Sequence, residues 1–176
     1  MTRAQVRRAA TAGIVLLTIV LGGCAVPPFE PRRPAPPLSQ QTLVEVEQVV
    51  KTIEVELASF VPDEVTVAIE EKSRGSVMGC APGGMSWGSS TVVRVAEQPD
   101  LGGVEAAVLS SWERAADFDI ELTQGPTGDP RLVLRSAELG NYHFRQFDDK
   151  VQVLSFSTCF AYDAERDGHR WEIAAE

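Results

Sequence analysis

Histidine and cysteine are scarce in this sequence and basic residues are outnumbered, and each shortage removes a class of chemistry. Two histidines among 176 residues leave little material for a metal centre or a general base. The three cysteines, Cys24, Cys80 and Cys159, form no CxxC pair and have no nearby histidine to complete a zinc set, so no metal site is expected. No Walker loop, dinucleotide fingerprint or HExxH occurs, so no cofactor is expected either. Lys and Arg number 16 against 25 Asp and Glu, a net charge of −9. A chain this acidic repels phosphate backbones, which excludes nucleic acid as a partner. Lysine is rare beside arginine, while alanine and valine are abundant, a usage that hints at a GC-rich genome.

What is present begins at the N-terminus. Arg3, Arg7 and Arg8 precede an aliphatic run from Gly13 to Leu21, the charged and apolar regions of a secretory signal. The run ends at Leu21-Gly22-Gly23-Cys24, which resembles a bacterial lipobox, with Leu three residues before the Cys and Gly just before it. That resemblance implies cleavage before Cys24, acylation of its thiol by chains such as palmitate, and attachment to the extracytoplasmic face of the cell membrane. The competing reading is an uncleaved signal anchor, since no charge falls between Ala9 and Val26 and a spanning helix needs about 17–25 residues. Removing residues 1–23 takes away three arginines and no acid, so the mature chain is more acidic still. It repels an anionic bilayer surface, and the domain is expected to stand off from it.

Assigning Cys24 to lipid leaves Cys80 and Cys159 as an even pair. Outside the cytoplasm such a pair tends to oxidise, and one intramolecular disulfide is expected, with two buried thiols as the alternative. Residues 24–38 read as a lipidated Cys followed by a spacer, because the prolines from Pro27 to Pro37 block helix and favour polyproline II. At about 3.1 Å per residue this run would hold the domain roughly 40 Å from the membrane. A folded domain is expected over residues 39–161 and a polar tail over 162–176, with Trp171 and Ile173 as candidates to dock.

Within the domain, Leu43, Val46, Val50, Ile53, Leu57 and Phe60 recur at steps of three and four, a helix stripe. Thr42 and Glu45 have the spacing of a capping box. The acids between the stripe positions read as a solvated face. Val65, Val67 and Ile69 alternate with Thr66, Ala68 and Glu70 as a half-buried strand. Ser73 to Ser90 is rich in glycine and reads as a loop, and Thr91 to Ala96 as the next strand. Gly102-Gly103 opens a second helix with Val104, Val108, Trp112 and Ala115 on one face. Strands follow from Phe118, from Arg131 to Ser136, from Tyr142 to Phe147 and from Val151 to Phe160, with turns at 125–130 and at Asp148-Asp149. The last strand changes apolar face between Val153 and Leu154, which fits burial on both sides or a bulge. This order gives an α+β fold, a two-layer sandwich with an antiparallel sheet and two helices on one face. A permuted ferredoxin-like layout fits it, as does a cystatin-like or NTF2-like sheet.

Three local patterns suggest chemistry. Gly84-Met85-Ser86-Trp87-Gly88 matches GxSxG, but no strand precedes Ser86 and no helix follows it, so the nucleophile-elbow context is lacking. Asp163-Ala164-Glu165-Arg166-Asp167-Gly168 starts like a calcium loop, but its twelfth position is Ala174 instead of Glu. His143 alternates with Tyr142 and Phe144, as a surface or hydrogen-bonded residue of a strand does. The remaining candidate is a contact surface. Met78, Met85 and Trp87 sit among the glycines of the 73–90 segment, where adaptable apolar side chains would meet a protein or lipid partner. The plainer alternative is that Trp87 folds onto the sheet as a lid.

The lipobox at Cys24, the proline spacer, the helix-first domain and the separated Gly79-Cys80 and Thr158-Cys159 together resemble the LppA-like lipoproteins of actinobacteria. The resemblance implies an envelope lipoprotein and carries no catalytic residue. The expectation is a lipid-anchored, non-enzymatic module that binds an envelope protein or a small apolar ligand. A small hydrolase using Ser86 and a purely structural envelope module are the alternatives.

Overall fold

The computed structural model describes residues 37–169 and Ile173. The expected lipidation site Cys24, the signal segment, most of the spacer and Trp171 lie outside the described residues. Helix α1 spans Leu43–Ala58. Its start follows from the capping box: the Thr42 hydroxyl accepts from Glu45 N–H at 3.3 Å, and Thr42 N–H donates back to the Glu45 carboxylate at 2.8 Å. That reciprocal pair satisfies two donors the helix leaves open, worth about 1 kcal/mol. Helix α2 spans Leu101–Ser111, and the Asp100 carboxylate caps it by accepting from the N–H groups of Gly102 and Gly103.

Eight strands form one sheet: β1 (Thr66–Glu71), β2 (Ser76–Ala81), β3 (Gly84–Val95), β4 (Asp119–Gln124), β5 (Pro130–Ser136), β6 (Gly140–Phe147), β7 (Lys150–Phe156) and β8 (Phe160–Ala161). Their order is β1-β3-β7-β6-β5-β4, and β2 and β8 also pair with β3. All these pairings are antiparallel, so the layout is a β4–β7 meander joined to a long central strand, without the parallel neighbours of a ferredoxin-like crossover. Strand β3 is long enough to carry β1 and β2 along one edge and β7 and β8 along the other.

Alternation then sorts the side chains. Trp87 and Val93 of β3, Val151 and Val153 of β7, Tyr142 and Phe144 of β6 and Leu132 and Leu134 of β5 are buried in one cluster with Val50, Ile53 and Leu57 of α1, Val104 and Val108 of α2 and Trp112 just past its end. Both helices therefore cover the same face, and the fold is the expected two-layer α+β sandwich. The Phe118 ring bridges the layers, 5.0 Å from Trp112 and 5.8 Å from Tyr142 between centroids.

Three local expectations are corrected. The 73–90 segment is a hairpin, β2 turning into β3 at Pro82-Gly83, where Gly83 has φ +71. In β1 the register slips between Thr66 and Ala68, so Val67 is an extra residue on an edge strand and 68 % exposed. Ile69 pairs with Val93 but lies at the sheet's margin and is also exposed. The apolar face change in the last strand involves no bulge: Ser155 is buried on the same face as Val151 and Val153, while Leu154 and Phe156 lie on the other. Strand β7 ends at Phe156, residues 157–159 leave the ladder, and β8 rejoins β3 at Gly84 and Met85. The tail is tied back: short helix α3 (Ala164–Asp167) places the Asp167 carboxylate where it accepts Leu43 N–H at 3.0 Å, at the start of α1. Ile173 packs against the core.

Candidate functional site

The end of the sheet where β2, β3 and β8 meet is fixed covalently. Cys80 and Cys159 are joined in a disulfide with Cα atoms 6.0 Å apart. Both half-cystines lie where the ladder is interrupted. The β2–β3 register slips between Gly79 and Ala81, and Cys159 lies between β7 and β8. Irregular backbone at both places turns the two side chains toward each other. Gly84 makes room for them: a Cβ there would stand 2.6 Å from the Cys159 sulfur and 2.6 Å from Leu38 Cδ2. Leu38 is held nearby because Ser39 N–H donates to the Cys159 carbonyl at 2.9 Å and the Ser39 carbonyl accepts from Ala161 N–H at 2.8 Å.

Beside the disulfide lies a cleft of about 770 Å³, lined among others by Leu38, Ser86, Arg135, Glu138, Asn141 and Phe156. Its far wall is the β5–β6 turn. Gly140 sets that wall, with φ +92 and no space for a Cβ, which would fall 2.3 Å from the Phe156 carbonyl oxygen. The cleft thus has two rigid sides, one a crosslink and one a glycine-fitted turn against the end of β7.

Ser86 opens on this cleft. It stands within β3, and its hydroxyl donates to the Ser157 carbonyl at 2.9 Å. Neither histidine is among the cleft residues. Ser157 returns the link, its hydroxyl accepting Trp87 N–H at 2.9 Å. These bonds replace the ladder where β7 leaves β3. The Ser of the GxSxG pattern thus lies on a strand, hydrogen-bonded to backbone, and not on a strand-to-helix turn.

The three apolar residues proposed as one contact surface are divided. Trp87 is 1 % exposed and Met85 4 %, both inside the core, while Met78 is 41 % exposed. Alternation explains the split: Trp87 points to the helices, and Met78, opposite Ser86, points to the uncovered face. Met78 does not stand alone there. Its methyl and the Phe156 ring both lie over Gly88. Phe156 in turn meets His143 edge-on at 6.3 Å. Burial, then Arg135, Arg131 and Arg145, hold the His143 pKa below its usual value. The arginines of this face are themselves engaged. Arg131 pairs with Asp129 at 2.9 Å, Arg135 with Glu121 at 2.5 Å, and Arg94 with Glu70 and Asp149 at 3.2 and 2.8 Å.

The sequence reading missed Glu54. Its charge places it with the solvated acids of α1, yet it is 1 % exposed and sits between α1 and the sheet. One carboxylate oxygen accepts from the Ser155 hydroxyl of β7, the other from the Thr91 hydroxyl of β3 at 3.2 Å. The Ser89 hydroxyl is buried outside hydrogen-bond geometry, yet it too favours the ionised carboxylate. Burial wins over these hydroxyls and the nearby Lys51, and pushes the Glu54 pKa up to about 7. The spacing held the signal, because Glu54 follows Val50 by four and precedes Leu57 by three, on the stripe itself. Glu56, facing the other way, accepts from Trp112 Nε1 and Arg114 Nε, each at 2.9 Å, and clamps the end of α2 to α1.

The acidic run from Asp163 is also structural. Asp163 caps α3 by accepting Glu165 N–H at 2.8 Å. Burial opposes ionisation of Asp167, but Arg166 and the N–H groups of Asp163 and Leu43 hold its pKa down to about 2. Among the described residues no group of three or more His, Cys, Asp or Glu could hold a metal ion, and no helix is long and apolar enough to cross a membrane.

No family model matches the chain, and no curated protein matches it. Among solved structures it is similar to the crystal structure of a DUF4853 family protein from Actinomyces odontolyticus. The two share 14 % identity over 72 % of this chain and 73 % of that one, with a TM-score of 0.48.

Proposed function

We propose that the chain is a lipid-anchored cell-envelope protein, attached through Cys24 at the extracytoplasmic face of the membrane, whose domain binds a ligand without catalysing a reaction. The cleft beside the Cys80–Cys159 disulfide carries this reading. It is within the roughly 300–1,000 Å³ that small-molecule sites occupy, and its walls are preformed. A disulfide persists in oxidising compartments, in keeping with export. The hydrolase alternative loses support from Ser86, whose hydroxyl is committed to a backbone carbonyl.

Two measurements test the reading. Mass spectrometry of protein purified from membranes should find acyl mass on an N-terminal Cys24, and Cys24→Ser should remove it. An intact residue 1–23 segment without acyl mass would overturn the anchor. Low-molecular-weight fractions of the envelope should raise the melting temperature of wild type and not of a Phe156→Asp variant. The absence of any stabilising fraction would overturn the binding role.

A further inference from the structure

The charges in the cleft narrow the chemistry of its ligand, given that the domain binds one. Two charged side chains line it: Arg135 at the end of β5 and Glu138 in the turn that follows. Arg135 Nη1 is engaged with Glu121. The rest of its planar fork, Nε and Nη2, has no hydrogen-bond partner among the described residues and remains able to take a carboxylate. Glu138 has no cationic partner among the described residues and is exposed. A purely anionic ligand would gain from Arg135 and be opposed by Glu138, and a purely cationic one would meet the reverse. A ligand with both charges satisfies both groups. The other surfaces suit its body: Phe156 and Leu38 are apolar, while Ser86 and Asn141 offer polar atoms at the edge.

We infer that the cleft binds a zwitterion of amino-acid to dipeptide size, its carboxylate on Arg135, its ammonium near Glu138 and its apolar side chain against Phe156. The fixed walls favour this, because a site ordered before binding loses less entropy when a small ligand enters. No bond is made or broken, and Ser86 stays hydrogen-bonded to Ser157.

The test uses the full chain purified from membranes in detergent, with leucyl-leucine, N-acetyl-leucyl-leucine and leucyl-leucinamide as probes in calorimetric titration. Leucyl-leucine should bind, and blocking either end should weaken binding roughly tenfold or more, since each block removes a charge-assisted contact. Arg135→Gln should abolish the preference for the free carboxylate alone, and Glu138→Gln the preference for the free amine alone. Both residues are at the surface, and unchanged melting temperatures would establish that the variants fold. Equal binding of all three probes would overturn the assignment. So would no binding of leucyl-leucine at millimolar concentration while an envelope fraction still stabilises the protein, an outcome that leaves the binding role standing. Failure of the fractions as well would remove both.

Discussion

The two faces of the sheet are built from the same alternating strands and carry opposite chemistry. Toward the helices, β3, β6 and β7 present Trp87, Val93, Tyr142, Phe144, Val151 and Val153, closed over by α1 and α2. On the other face the same strands present Ser86, Arg94, His143, Arg145, Gln152 and Phe156, with Arg94 paired to Glu70 and Asp149 and Arg145 over the Phe147 ring. One face is specified by packing and the other by balanced charge. The covered face hides a titratable group, Glu54, whereas the open face is half apolar, with Leu154, Phe156 and Met78 among its charges. A solvated sheet face is usually more uniformly polar. Stability is therefore expected to reside on the helix side and ligand contact at the open end beside the disulfide.

The largest expected effect tests the first half of that contrast. Trp87→Ala should destabilise by about 4–5 kcal/mol in denaturant unfolding, because it empties the largest fully buried side chain of the core. A loss below about 1 kcal/mol would mean the helix layer does not close over β3 as described. Next comes the crosslink, which belongs to neither face and holds their common edge. The double variant Cys80→Ser, Cys159→Ser, with a sequence separation of 79 between the sites, should lose about 4 kcal/mol in the chain-entropy account. Thermal unfolding with and without reductant measures it, and an unchanged melting temperature would show that the cleft wall stands without the bond.

Much of the fold could be read from the sequence, and the parts that could not have physical reasons. The capping box at Thr42 and the stripe from Leu43 to Leu57 depend on local spacing, and they gave α1 directly. The meander from Asp119 to Phe156 consists of short apolar-rich strands punctuated by Gly and Asp turns. The β2–β3 hairpin was obscured because Gly79, Gly83, Gly84 and Gly88 dilute its strand pattern. Its strongest signal, Pro82-Gly83 between Val77-Met78 and Met85, fits a loop as well as a hairpin turn. The pairing of Cys80 with Cys159 followed from cysteine arithmetic. The cleft did not, since it depends on Gly140 meeting Phe156 across strands, a contact no local pattern encodes.

Glu54 supplies a pH-dependent test of the covered face. Its folded pKa near 7 stands above the unfolded value of 4.5, so the folded state binds the extra proton between them. Stability from this group is complete below pH 4.5, falls as pH rises toward 7 and is gone above it, a change of about 3 kcal/mol. His143 acts in the opposite sense. Its lowered pKa contributes stability above the usual histidine value of 6.5, lost as pH falls through the folded pKa. The Glu54→Gln variant should remove the alkaline loss, and Glu54→Gln with His143→Gln should flatten the profile from pH 5 to pH 8. Denaturant unfolding across that range is the measurement. A wild-type profile that rises steadily with pH would refute a neutral, buried Glu54 carboxyl.

The smallest effect tests the open face, and a near-null result is the informative one. Met78 is 41 % exposed, and its methyl lies over Gly88 beside Phe156. Replacing it with serine removes apolar contact that is already half in water and leaves the β2–β3 backbone pairing untouched. The stability change should stay within about 0.5 kcal/mol, as for surface substitutions away from caps and buried partners. Trp87 and Met78 lie nine residues apart on one hairpin, yet Trp87→Ala should cost several times what Met78→Ser costs. If Met78→Ser costs as much as a core truncation, the uncovered face is packed against something, and the asymmetry between the two faces disappears. If it is neutral for stability but alters capture of envelope fractions, the open face takes part in binding and the contact extends beyond the cleft toward β2.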